Sequence, residues 1–524
     1  MTRFAMSSIL RVSRLPLALV AAGLLSACNL APIYERPDAP VPATLDGALS
    51  AVPDEFQVEP VSAEEWRMLP WQQWVENERL RQVLEVALQN NRDLRVAIAN
   101  IEKARAQYGV QRADQLPTIN ASGQGSRTRT AHDLRSANAA STTVNQFSVQ
   151  LGMASYELDF WGRIQNLSEA ALQQYLQVEA NRRNVQLGLL SDISNAWVAL
   201  ASDQQRLQLA RDTLATREHG YSLVQRMHQL GATNGLVLAQ NQTVVETARN
   251  DVATYEATVQ RDRNALQLLV GSSLPVDLLP PAPPPSLSAQ ALKQAGSGQL
   301  AADTAPKVAA QLAVTGMTQV PARLSSKVLL ARPDIAAAER SLQAQYASIG
   351  AARAAFFPTI SLTASVGTGS NELSGLFEGG NRAWSFVPQI RLPIFDSGRN
   401  QANLDIAKAN REVALAQYEK TIQVAFREVN DALADRATMQ RRLDSQASLV
   451  AAAQRVLNLS QARFKAGADD FLTVLDAQRS LYTAQQTQIS LLQAEQVNRI
   501  ALYKALGGGA DAPEPAASAP LAQQ

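Results

Sequence analysis

The sequence predicts a mostly α-helical protein that also supplies four strands to a membrane β-barrel. Three observations carry this expectation. The chain repeats itself, each copy holds two segments of period-two patterning, and each copy contains a very long stretch free of proline.

The repeat is read from register. Asp93 meets Asp334, Ala97 meets Ala338, Gly109 meets Gly350, Arg112 and Ala113 meet Arg353 and Ala354, and Pro117 meets Pro358, all at one offset of 241 residues. Farther along the offset becomes 236. Gly162 meets Gly398, Gln165 meets Gln401, Gly231 meets Gly467 and Gln242 meets Gln478. The length change falls between Pro117 and Gly162, where an indel belongs in a loop. Register held over so long a stretch points to duplication.

In copy one, Phe147, Val149, Leu151 and Met153 alternate with Ser148, Gln150 and Gly152, and the segment after Pro117 alternates more weakly. In copy two, Ile360, Leu362, Ala364 and Val366 alternate with Ser361, Thr363 and Ser365. Trp384, Phe386, Ile390 and Leu392 then alternate with Ser385, Val387, Gln389 and Arg391. Such alternation means strands with one apolar and one polar face. A half-buried sheet of a soluble domain would share it. Two features favour a barrel in lipid. Pro117 and Pro358 mark a helix-to-strand switch in both copies, and the polar faces are rich in Ser, Thr, Gln and Gly, as a watery lumen allows. Four strands cannot close a barrel, and an open edge in lipid leaves backbone groups unpaired. The chain must therefore assemble with copies of itself; two would give eight strands and three would give twelve.

No proline occurs between Pro117 and Pro275 or between Pro393 and Pro513. An interior proline costs a helix ~3 kcal/mol, so these gaps suit long helices. Residues 163–230 would run ~100 Å at 1.5 Å per residue. Leu415, Tyr418, Ile422, Ala425, Val429 and Ala432 step by threes and fours, a coiled-coil seam, and Leu475, Tyr482 and Ile489 mark another.

The ends carry different signals. Arg3, Arg11 and Arg14 precede an apolar run from Leu15 to Leu25, too short to span a bilayer as a helix. It ends in Leu25-Ser26-Ala27-Cys28, which resembles a bacterial lipobox. Cys28 is the single cysteine, so no disulfide forms within the chain, and its thiol is expected to carry a covalent lipid, the one non-protein group expected here. Asn29 follows it, where Asp would favour inner-membrane retention. Cleavage removes three arginines and no acid, taking the net charge from +1 to −2, which excludes an electrostatic case for nucleic acid. The expected divisions are a signal peptide over 1–27, an anchor and extended segment over 28–75, repeat one over 76–271 with its hairpin at 117–160, a Pro-rich linker over 272–330, repeat two over 331–506 with its hairpin at 358–395, and a tail over 507–524 with the composition of a disordered segment.

Several motifs resemble a known family. Leu30-Ala31-Pro32-Ile33-Tyr34-Glu35-Arg36-Pro37 follows the lipobox, and Asn91-Arg92-Asp93-Leu94-Arg95 opens repeat one. Arg332-Pro333-Asp334-Ile335 with Ala351-Ala352-Arg353-Ala354-Ala355-Phe356-Phe357-Pro358 opens repeat two, and Gly467 precedes Phe471-Leu472-Thr473-Val474-Leu475-Asp476-Ala477-Gln478. Together they resemble the TolC-like outer-membrane factors of tripartite efflux pumps, in their lipoprotein branch, over nearly the whole mature chain. The resemblance implies a homotrimer with a twelve-stranded membrane barrel, a long helical barrel in the periplasm and an irregular equatorial belt. It implies docking to a periplasmic adaptor, or membrane fusion, protein and to an inner-membrane transporter of the RND type, with drugs or other small solutes carried outward. It also implies that the turns at Gly231 and Gly467, with Arg463, meet the adaptor. Leu472 and Asp476, four apart on one helix face, would then constrict the pore entrance. Copy one has Leu236 and Gln240 at the matching places, so the charge belongs to copy two. Arg226 lies five residues before Gly231 whereas Arg463 lies four before Gly467, so the arginines do not correspond.

An enzyme is disfavoured. His132, His219 and His228 show no metal-ligand spacing, and Gly123-Gln124-Gly125 sits in a strand pattern with no helix start for a phosphate loop. Two other readings stand beside the efflux duct: an outer-membrane duct for type I protein secretion, and a structural coiled-coil lipoprotein without a pore. The lipobox generates the first test. Cys28→Ser should yield a chain without lipid and with reduced function; equal incorporation of labelled palmitate by wild type and variant contradicts the anchor.

Overall fold

The computed structural model describes residues 29–42, 70–131, 143–284 and 326–508. The leader, Cys28, the segment 43–69, the loop 132–142, most of the linker and the tail from 509 lie outside them. The elements are α1 (Trp71–Trp74), α2 (Glu78–Asn90), α3 (Arg92–Ala113), β1 (Ile119–Arg129), β2 (Thr143–Leu158), α4 (Arg163–Gln229), α5 (Gly235–Val270), α6 (Pro333–Ala354), β3 (Thr359–Ser370), β4 (Arg382–Arg391), α7 (Arg399–Lys465) and α8 (Phe471–Ala505). The duplication is visible in lengths. α3 and α6 have 22 residues each, α4 and α7 have 67 each, and α5 and α8 have 36 and 35. No described helix is long and apolar enough to cross a membrane.

The chain forms two compact units, and each repeat contributes to both. The first comprises the described residues within Met1–Asp38, Asn100–Glu179 and Ala337–Tyr418; the second comprises those within Ala39–Ala99, Ala180–Ala336 and Glu419–Gln524.

The first unit holds the sheet. α3 and α6 stop just ahead of Pro117 and Pro358, because a proline pushes the residue before it out of the helical region. The four strands lie in the order β1-β2-β3-β4, all antiparallel, so the copies meet at β2 and β3. Facing residues share a side of the sheet. Ile119 faces Met153, which faces Ala364, which faces Phe386; Leu151 faces Val366, which faces Trp384. That side is apolar and bare: Trp384 is 79% exposed, Ile390 69% and Val366 60%. The other side pairs Ser122 with Gln150, Gly152 with Ser365, and Ser365 with Ser385, whose hydroxyls bond at 2.8 Å. A bulge between Met153 and Tyr156, with Ser155 at φ 53, keeps both residues on the apolar side despite their odd spacing.

Also in this unit, residues 29–38 lie against α6. The Arg353 guanidinium donates to the Leu30 carbonyl at 3.0 Å, and Tyr34 sits edge-on to Tyr346 at 5.4 Å. Arg36 donates to both oxygens of Glu339 at 2.8 and 2.9 Å, and the Tyr34 hydroxyl donates to the same carboxylate at 3.0 Å. Gly350 makes room for this strap. A Cβ there would stand 2.8 Å from the Ala31 side chain, whereas its repeat partner Gly109 has nothing within 4 Å.

The second unit repeats one device twice. Buried Asn91 caps α3 by accepting from Leu94 N at 2.8 Å and donates to the Leu269 carbonyl at 2.7 Å near the end of α5. Buried Arg332, at the matching place, donates to the Ala505 carbonyl at 2.8 Å at the end of α8, and its charge is balanced by Asp334 and Glu428. Each satisfies a carbonyl that a helix end would otherwise leave unpaired. Trp74 stacks on Tyr503 with ring centroids 4.0 Å apart. The α7 seam at Ile422, Ala425, Val429 and Ala432 is buried as expected. On α8, Ile489 is buried as expected, but the dry seam nearer the turn runs through Val474, Ala477, Leu481 and Ala484, packed with Val450 and Leu457, and not through Leu475 and Tyr482. Tyr482 lies off that seam, and its hydroxyl donates to Asp251 at 3.2 Å.

The join between β2 and β3 generates a paired test. A Cβ on Gly367 would stand 2.2 Å from the Val149 carbonyl oxygen, while one on Gly369 meets only Phe147 O at 3.8 Å. Gly367→Ala should sharply lower the yield of folded protein in the outer membrane and Gly369→Ala should not. Equal yields would show that the strands do not pair in this register.

Candidate functional site

Both helix turns singled out in the sequence lie in the second unit and have one backbone design. Gly231 and Gly467 are left-handed, at φ 72 and 73, in the place glycine favours after a helix. Gly231 N donates to His228 O at 3.0 Å and Ala232 N to Met227 O at 2.8 Å. Gly467 N donates to Phe464 O at 2.9 Å and Ala468 N to Arg463 O at 3.0 Å. Three residues after each glycine comes the cap of the next helix: Asn234 accepts from Val237 N at 3.1 Å, and Asp470 from Thr473 N at 3.2 Å.

The chemistry differs where the backbone does not. In copy two, Arg463 makes a two-pronged bond to Asp469, at 2.6 and 2.8 Å, which holds that carboxyl below the usual carboxylate range. Copy one has Met227 and Thr233 at those places, and His228 Nδ1 donates to the Thr233 carbonyl at 3.1 Å. One turn is therefore a charged clasp and its repeat is neutral. Asp469 was not singled out from the sequence; the only signal for it was its place six residues after an arginine and across a glycine.

Leu472 and Asp476 sit on α8 just past the charged turn. On a helix they point roughly opposite to Val474, Ala477 and Leu481, which form the buried seam. Leu472 is thus half-buried outside the seam, and the Asp476 side chain is 70% exposed. Arg479, three residues on, donates to Asp476 at 2.9 Å. Arg479 is thus the partner of that carboxylate within the chain, whereas Arg463 is engaged by Asp469. In copy one, Leu236 is 64% exposed and Gln240 leaves a buried side-chain oxygen without a partner. Cys28, the expected lipid site, lies outside the described residues.

A bare apolar sheet face, a polar opposite face and paired helix turns define a class: membrane proteins whose barrel continues into long helices. The comparisons agree. The profile of the family described as "Outer membrane efflux protein" matches residues 83–272 and 324–508, one segment in each repeat. The toluene efflux pump outer membrane protein TtgC of Pseudomonas putida is 41% identical over 490 residues, covering 94% of both chains. Outer membrane protein OprJ of Pseudomonas aeruginosa is 40% identical over 494 residues, covering 94% of this chain and 95% of that one. Among solved structures, the open state of the Neisseria gonorrhoeae MtrE outer membrane channel superposes with a TM-score of 0.77 at 36% identity, covering 92% of this chain and 98% of that one. The chain belongs to the outer membrane efflux protein family. It is an outer-membrane protein with a TolC-like fold, the outer-membrane channel component of an efflux pump.

The turn geometry generates a test. Nothing lies within 4 Å of a Cβ on Gly467, so Gly467→Ala should cost only the left-handed backbone, about 1–2 kcal/mol. Hydrogen exchange should show faster opening of residues 463–472 with the rest of the chain unchanged. Unaltered exchange there would mean that Gly467 is not left-handed in the assembled protein.

Proposed function

We propose that three copies of this chain close a twelve-stranded barrel and act as a passive exit duct for drugs or other small organic solutes. The observation that carries this reading is the sheet. One face is apolar and exposed, the other is lined by Ser, Gln and Gly, and among the described residues β1 and β4 are each paired on one side only. A lipid anchor on Cys28 adds to the hold of the barrel. The turns at Gly231 and Gly467, with the Arg463 clasp, offer a periplasmic adaptor alternating neutral and charged contacts, and an inner-membrane transporter of the RND type supplies the solute. Relatives named for toluene and antibiotic efflux support small organic cargo.

In the trimer, Leu472 and Asp476 form two successive rings at the periplasmic entrance. A leucine ring excludes water and a carboxylate ring favours cations. Arg479 offsets repulsion among the converging carboxylates. Mass measurement in detergent should give a trimer. Leu472→Ala combined with Asp476→Ala should raise its single-channel conductance and admit vancomycin into cells. A stable monomer would sink the duct, whereas unchanged conductance in a trimeric double variant would remove only these two residues from the entrance.

A further inference from the structure

In the first unit, equivalent helices of the two repeats are covered unequally. α6 lies on the start of α4. Ala344 and Ala347 bury against Ala170, a Cβ on Gly350 would stand 2.7 Å from the Asn166 amide nitrogen, and Arg340 donates to Gln173 at 3.3 Å. No residue of α6 from 337 to 354 is exposed. Their repeat counterparts, α3 and α7, are bare. Over residues 100–113 of α3 only Ala104 is buried, and over residues 399–418 of α7 only Ala407 and Tyr418 are.

The repeat shows which contact is missing. The offset of 241 takes Ala344, Ala347 and Gly350 of α6 to Lys103, Ala106 and Gly109 of α3. The offset of 236 takes Asn166, Ala170 and Gln173 of α4 to Ala402, Ile406 and Ala409 of α7. All six counterparts are exposed, and steps of three and four put each set on one face of its helix. Ile406 is 58% exposed, Val413 one turn farther is 69% exposed, and Val110 beside Gly109 is 71% exposed. The strands point to what covers these faces. β2 pairs with β3, β2 runs into α4 and α6 runs into β3, so paired strands go with paired helices. α3 runs into β1 and β4 runs into α7, and β1 and β4 are the two strands paired on one side only. A strand edge and the helix joined to it are therefore bare at the same two places.

We propose that α3 of one copy packs on α7 of the next in the register that α6 keeps on α4 within the chain, with Gly109 facing Ala402 and Ala106 facing Ile406. This rests on the reading that copies of the chain close the barrel, and it adds which faces meet and in what register. When β4 of one copy pairs with β1 of the next, the helices joined to those strands come side by side. The contact joins two different faces, so its repetition closes a ring. Its chemistry suits burial. Ile406 stands where the chain's own contact has Ala170, and Ala402 where it has Asn166, so the contact between copies is the more apolar of the two. Lys103 replaces Ala344, and its stem covers apolar surface while its ammonium stays in water. Gly109, with nothing within 4 Å in its own chain, leaves room for the next copy's helix.

Cysteine pairs in the full chain test the register. Ala106→Cys with Ile406→Cys should link chains into covalent dimers and trimers on mild oxidation. Each single variant, and the wild type with Cys28 alone, should give no such ladder. Ala106→Cys with Lys408→Cys should link about tenfold less, because position 408 lies about 200° around the helix from 406. Gly109→Trp tests the same contact by crowding. Its side chain meets open space within one chain, so the chain should fold, but the yield of trimer should fall about tenfold. A trimer by mass that shows no link between 106 and 406, or links equally at 406 and 408, overturns the contact and leaves the barrel reading standing. So does an unchanged trimer yield in Gly109→Trp. A monomer by mass overturns both. If Gly109→Trp does not fold, the cysteine pairs decide, since they place only small side chains on exposed positions.

Discussion

In hydrocarbon every backbone N–H and C=O must find a partner within protein, and this chain cannot satisfy that rule alone. Its four strands pair three times, and β1 and β4 each keep an outer edge that no described residue covers. The apolar face of the sheet makes the constraint unavoidable, because exposed Trp384, Phe386 and Ile390 favour lipid, where open edges are most costly. Assembly follows as a requirement of the backbone, and the helices inherit whatever symmetry the barrel adopts.

The sheet also shows what duplication achieved. Each repeat brings one hairpin, and the two join through β2 and β3, where Gly152 and Gly367 let the backbones close up. The same backbone devices recur in both copies: a polar residue at 91 or 332 bonded to the carbonyl at 269 or 505, and a left-handed glycine at 231 or 467. Side-chain chemistry diverged on that shared frame. Copy two alone has the Arg463–Asp469 clasp and the Asp476–Arg479 pair. Its α6 alone receives the N-terminal strap, although the glycine that admits the strap has a counterpart in copy one. A duplicated chain in a symmetric assembly can thus present two kinds of surface in alternation.

The long helices are not joined by apolar seams alone. Tyr482 with Asp251, Tyr255 with Gln486, and Arg206 with Ser490 and Gln493 link α8 to α4 and α5 through polar groups. Dry seams resist change because their packing is close and non-ionic. Polar contacts of this kind exchange partners at lower cost and respond to charge.

The amino-acid sequence by itself determined the repeat, the four strands and their apolar side, the long helices, and both glycine turns. These are local matters. Period-two alternation places Trp384 and Phe386 on one side of a strand, proline ends a helix wherever it stands, and a missing Cβ favours the left-handed region. Leu472 and Asp476 could be placed on one helix face by their spacing, and Arg479 could be named as a neighbour of Asp476. Tertiary structure alone decided the rest. The seam of α8 runs through Val474 and Leu481 and not through Leu475 and Tyr482, because that is the face against which Val450 and Leu457 of α7 pack. Glu339 receives the strap from some 300 residues away, and Arg206 reaches Ser490 and Gln493 only because two helices pack side by side. No spacing along a chain encodes such meetings, since they depend on which faces of separate helices the fold brings together.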